Sequence, residues 1–98
     1  MKFYILDNKK PTPVRSKYEW ETWMYHFEAK CLINETTLNG AVVVSTNFFG
    51  CSPEENPLLF ETLIIGGLHD QYSRKMSTWD EAEYEHRRAV EIVMAELN

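Results

Sequence analysis

The carboxylate Glu61 stands inside the run Leu58-Leu-Phe-Glu-Thr-Leu-Ile-Ile65, whose other members are apolar apart from Thr62. Burying an isolated charge is costly or shifts its pKa, so such a residue either faces solvent or is held by dedicated partners. The preceding apolar run, Ala41 to Phe49, carries Ser45, Thr46 and Asn47 beside Phe48 and Phe49. Hydroxyls and an amide beside aromatic rings suit a small polar ligand, but they suit the end of a strand better.

Other chemistries lack their marks. Glu83-Tyr-Glu-His86 has the Glu-x-x-His spacing by which di-iron bundles project two ligands from one helix, but such a centre needs a second copy of the motif and two further Glu-bearing helices. His86 therefore reads as a satisfied core or boundary histidine, and His26 and His69 read structurally as well. Cys31 and Cys51 are too few and too far apart for a disulfide framework or a zinc cluster, and read as two reduced thiols. No pattern flanks either cysteine as a nucleophile. There is no G-x-S-x-G elbow, P-loop, H-E-x-x-H or G-x-G-x-x-G, and Gly66-Gly67 reads as a strand stop. The expectation is a non-enzymatic protein with no cofactor and no metal.

The elements that position these residues follow from patterning. Phe3 to Leu6 reads as a short strand closed by the polar turn Asp7 to Lys10, and Pro11 to Val14 as extended chain. Ser16-Lys-Tyr-Glu19 has the spacing of a capping box and opens a helix to about Lys30, with Tyr18, Trp20, Trp23, Met24 and Phe27 on one broad face and the last four expected in the core. Cys31 to Leu38, Asn39-Gly40 and Ala41 to Phe49 form a hairpin signature, because Asn-Gly readily supplies the positive φ of a type I′ turn. Gly50 to Pro57 is a loop, Leu58 to Ile65 a strand, and Leu68 to Met76 a polar connection. Thr78-Trp-Asp-Glu81 is a second capping box, opening a helix to about Leu97 with Trp79, Ala82, His86, Ala89, Val90, Val93 and Leu97 on one side.

The order β-α-β-β-β-α predicts an α+β fold: a mainly antiparallel four-stranded sheet carrying two helices on one face. Alternation in the last strand puts Leu59, Glu61, Leu63 and Ile65 on one side and Leu58, Phe60, Thr62 and Ile64 on the other. Both sides are largely apolar, so the uncovered one is expected to meet a loop, a ligand or a second copy, a homodimer being the natural outcome.

Ninety-eight residues suffice for one domain, 1–98, and a hydrophobic content of 44% with 13% aromatics is enough to build its core. The net charge of -5 disfavours direct nucleic-acid binding, and the basic pairs Arg74-Lys75 and Arg87-Arg88 are too short for a basic stripe. No apolar run is long enough to cross a membrane, and Met1-Lys2-Phe3 leads straight into a strand, so a soluble cytoplasmic protein is expected.

Several segments together resemble a family of small uncharacterised phage and prophage proteins. These are Tyr4 to Asp7 with Pro11 to Val14, Trp20 or Trp23, Val44-Ser-Thr46 with Phe48 to Gly50, Pro57 to Thr62 with Gly66-Gly67, and Tyr72-Ser73 leading to Thr78-Trp79, Glu81-Ala82 and His86. The loop Cys51 to Asn56 is shorter and poorer in glycine than the family pattern. The resemblance implies a context, the host cytoplasm during infection, and action by stoichiometric binding in counter-defence. Among the residues that match, Ser45, Thr46, Glu61, Thr62, Asp70, Tyr72, Arg74 and His86 are expected to line a pocket for a nucleotide-type signal. Tyr72 would stack, Arg74 would pair with phosphate and Glu61 would accept from ribose or base. The alternative is an anti-CRISPR-like inhibitor that presents Asp80, Glu81, Glu83, Glu85 and Glu91 to a basic groove of a host defence protein, although Arg87 and Arg88 interrupt that face. A second alternative is a minor virion or assembly protein.

Overall fold

The computed structural model describes residues 1–97. In chain order its elements are β1 (Lys2–Asp7), β2 (Lys10–Val14), α1 (Lys17–His26), a 3-10 turn (Glu28–Cys31), β3 (Leu32–Leu38), β4 (Val42–Phe48), β5 (Cys51–Ser52), β6 (Phe60–Ile65), β7 (Ser73–Met76) and α2 (Trp79–Leu97). The fold is α+β, with two antiparallel sheets: three strands in the order β2-β1-β5 and four in the order β3-β4-β6-β7.

The first strand does not join the larger sheet. β1 turns back at Asn8-Lys9 to pair with β2, with Tyr4 opposite Pro13 and Leu6 opposite Pro11. Two prolines are tolerated because β2 lies at a sheet edge, where alternate backbone N–H groups need no partner. The fourth strand of the larger sheet is β7, within the segment whose polarity reads as a connection. Only Met76 of its four residues is buried, as suits an edge strand. The helices divide accordingly: α1 packs on the β1–β2 hairpin, and α2 lies across β3, β4, β6 and β7.

Both capping boxes hold at the N-cap. Ser16 Oγ accepts from the Glu19 N–H at 3.2 Å, and Thr78 Oγ1 accepts from the Glu81 N–H at 3.1 Å. The Ser77 and Thr78 hydroxyls both donate to Glu81 Oε1 at 2.9 Å, and these bonds hold its carboxyl below the usual glutamate range. α1 ends four residues earlier than its pattern predicts, and Phe27, expected in the core, is 41% exposed at its C-cap. Trp23 does pack inward, edge-on to Phe48 at 6.2 Å.

Under α2 the core is two apolar clusters. Val42, Val44, Ile64, Ala89 and Val93 form one; Phe48, Leu59, Phe60, Met76 and Ala82 form the other, with Tyr4, Leu6, Trp23 and Trp79 packed against it. The second cluster thus draws on both sheets. Their joint is Gly50, at φ +68, whose carbonyl accepts the Tyr4 N–H at 2.7 Å. A Cβ at this glycine would lie 2.6 Å from the Tyr4 carbonyl oxygen, 2.8 Å from the Phe48 ring and 2.9 Å from Trp20 Nε1, so no side chain fits.

Candidate functional site

The eight residues singled out in the sequence occupy three separate places. Thr46, Thr62 and His86 lie on the covered side of the sheet, between the two apolar clusters. Strand alternation aims Thr46 of β4 and Thr62 of β6 at α2, where Ala82, His86 and Ala89 succeed one another along the buried stripe. The Thr46 and Thr62 hydroxyls are 2.6 Å apart, and Thr46 Oγ1 lies 2.7 Å from His86 Nδ1. The other ring nitrogen, Nε2, is 2.9 Å from the hydroxyl of Thr36 on β3. Sequence reasoning missed Thr36, whose only signal was its place in the polar stretch Asn34-Glu-Thr-Thr37. His86 is 2% exposed, and burial pushes its pKa below the ordinary histidine value, so the neutral ring is favoured. A neutral imidazole has one donor and one acceptor nitrogen, and hydroxyls meet both roles. The network is closed on itself, and its members serve the core.

Ser45 and Glu61 are on the opposite, uncovered side. Three cross-strand rows run over it: Thr37, Val43 and Ile65; Glu35, Ser45, Leu63 and Ser73; and Asn47, Glu61 and Lys75. Glu61 is half-buried in the last row, and its Oε2 accepts from the Ser73 hydroxyl at 2.6 Å. Ser45 Oγ accepts from Asn47 Nδ2 at 2.8 Å, and Lys75 Nζ sits 5.5 Å from the centre of the Phe49 ring. The carboxylate among apolar neighbours is thus explained by a face that α2 leaves open and by a hydroxyl partner upon it. At the β3 margin of this face a shallow groove of about 530 Å³ runs between Glu28, Cys31, Glu35, Ser45 and Asn47. Burial, and then the Glu28 carboxylate, push the Cys31 thiol pKa up, so this free cysteine is no ready nucleophile.

The remaining three serve the loop and edge after β6. Asp70 Oδ1 accepts from the Gly66 N–H at 2.7 Å and fixes the turn. Tyr72 packs against the Val42–Val93 cluster, and its carbonyl accepts from the Ile64 N–H at 3.0 Å. Arg74 leans across the β7 edge toward Glu85 of α2, Nε to Oε2 3.8 Å. The stacking ring, the guanidinium and Glu61 therefore do not share one space.

Among the described residues no group of three or more His, Cys, Asp or Glu side chains is placed to hold a metal ion. No helix among them is long and apolar enough to cross a membrane. Comparisons with protein-family models, with curated proteins and with solved structures give no significant match to the chain.

Proposed function

We propose that the protein is a non-enzymatic phage accessory factor that acts by stoichiometric binding, blocking a host defence protein through the uncovered face of its four-stranded sheet. The supporting observation is the make-up of that face. Val43, Leu63 and the 53% exposed Ile65 form an apolar strip, flanked by Glu35 and Glu61 with Glu28 at the margin. An apolar centre with a polar border is the ordinary build of a protein contact. Three carboxylates against Lys75 bias the face toward a basic partner, by steering its approach and by penalising acidic competitors. Ser45 Oγ and Glu61 Oε2 keep intramolecular partners when the face is covered, and the other Glu61 oxygen is the acceptor that a basic partner would have to meet.

The setting comes from the resemblance, and the geometry favours the blocking reading over nucleotide capture through Tyr72, Arg74 and Glu61. The acidic surface differs from the one expected on the second helix: it lies on the far side of the sheet from α2.

The test is co-expression with host defence systems during phage challenge. The wild-type chain is expected to restore infection and to co-purify with a defence component at low salt, whereas the double reversal Glu35→Lys with Glu61→Lys, still folded, does neither. Full activity of that variant would refute the assignment. Light scattering on the purified chain covers the competing occupant: a dimer that Ile65→Asp dissociates would give the face to a second copy.

A further inference from the structure

The tip of the β1–β2 hairpin touches the first turn of α2. Two clefts meet there, of about 260 Å³ and 270 Å³, with Asn8, Lys9 and Trp79 in the walls of both. Leu6, Lys30 and Leu32 complete the first; Lys10, Pro11 and Asp80 help line the second. Each approaches the lower end of small-molecule sites, roughly 300 Å³. On a chain of net charge -5, three lysines border this spot against one carboxylate. None of the three forms an ion pair among the described residues, where the salt bridges are Lys17–Glu21, Arg74–Glu85 and Arg88–Glu91. Lys9 Nζ instead lies 5.4 Å over the Trp79 ring, whose buried indole N–H also has no hydrogen-bond partner.

The backbone at Lys9 is the second observation. The chain contains two hairpin turns with positive φ at both central residues: Asn39-Gly40 at +53 and +67, and Asn8-Lys9 at +50 and +74. Glycine takes the second position without strain, and the chain uses it in one turn. In the other it keeps a residue whose Cβ is strained there, and strained backbone of this kind clusters at ligand clamps. What the strain retains is an ammonium group over an indole at the junction of two clefts.

We propose that this double cleft binds a small ligand of the nucleotide class, a phosphate-bearing molecule with a flat ring. Lys9, Lys10 and Lys30 hold the phosphate as point charges, and the ring lies on Trp79. In the free protein Lys9 covers the indole by a cation–π contact; on binding, its ammonium moves to the phosphate and exposes the ring face for stacking. Leu32 lines both the first cleft and the groove at the margin of the uncovered face, but Lys9, Lys10, Lys30 and Trp79 line no part of that groove, so substitutions at them test this site alone.

The test is isothermal titration of the full chain with ADP and with inorganic pyrophosphate, for the wild type and for Lys9→Gly, Lys30→Gln and the control Lys17→Gln. ADP is expected to bind with the Trp79 indole N–H resonance shifting, and pyrophosphate to bind about tenfold more weakly, having no ring to stack. Lys9→Gly and Lys30→Gln should each weaken ADP by roughly tenfold, the worth of one charge-assisted contact, with Lys17→Gln unchanged. Lys9→Gly relieves the turn, so its melting temperature should rise as its affinity falls, which separates lost binding from lost folding. No heat with millimolar ADP, or a Lys9→Gly variant that binds as the wild type does, would overturn the site. Equal affinity for pyrophosphate and ADP would overturn the role given to Trp79.

Discussion

His86 and Thr46 are joined at 2.7 Å through Nδ1 and Oγ1, and this contact ties α2 to the middle of the four-stranded sheet. Along β4, β6 and α2 alike, the buried residues run from apolar through polar to apolar: Val44, Thr46 and Phe48; Ile64, Thr62 and Phe60; Ala89, His86 and Ala82. The polar level fixes the helix in register, because a slip along its axis would strand a histidine and two hydroxyls without partners.

Replacing His86 with Ala removes a buried ring and leaves Thr36 and Thr46 short of a partner. The expected cost is about 2 to 4 kcal/mol, read as a fall in the urea midpoint at unchanged slope. A midpoint equal to wild type would show that the helix register does not depend on the ring.

The same residue sets a pH dependence. Its folded pKa lies below its ordinary value of 6.5, so at mild acidity the unfolded state takes up a proton that the folded state does not. His86 therefore costs no stability above pH 6.5, and stability falls as the pH drops from there toward the folded pKa, by about 1.4 kcal/mol per unit of separation. Denaturant midpoints between pH 7.5 and 5 should fall for the wild type and fall less steeply for His86→Gln, which keeps an uncharged hydrogen-bonding group. Parallel curves would contradict the assignment.

Gly50→Ala combines a left-handed backbone with close contacts to the Tyr4 carbonyl and the Phe48 and Trp20 rings. A loss of more than about 2 kcal/mol is expected, with the β1–β2 hairpin detaching first. Hydrogen exchange should show faster exchange of the Tyr4 amide than in the wild type. Gly40→Ala, with nothing within 4 Å of the added carbon, is the milder control, bearing only its turn strain.

Glu61→Gln should change stability by less than about 0.5 kcal/mol, since the carboxylate is half-buried and an amide oxygen still accepts from Ser73. A loss of several kcal/mol on thermal melting would mean that the charge supports the fold, against its placement on an uncovered face.

Much of the frame was legible in local chemistry. Asn39-Gly40 announced its hairpin, Ser16 and Thr78 announced their helices, and the stripe of Ala82, His86, Ala89 and Val93 gave the buried side of α2. β7 was not legible, because an edge strand that buries one residue in four carries no alternation to read. Nor was the pairing of β1 with β2, since Pro11 and Pro13 argue against a strand unless it is known to lie at an edge. The dispersal of the candidate residues was half visible. Adjacent strand positions face opposite ways, so Ser45 and Thr46, like Glu61 and Thr62, were bound to separate. That Thr36 would reach His86 depended on a long-range strand pairing that sequence spacing does not reveal.

The contact of Lys9 with Trp79 spans most of the chain, and the walls between them also draw on Lys30 and Leu32. A nascent chain emerging from the ribosome can close the Asn39-Gly40 hairpin early, yet it has no such cleft until the start of the last helix is out. Ligand capture at that place would therefore report that the chain has been made through the first turn of α2, and any product truncated before Trp79 would be blind to it.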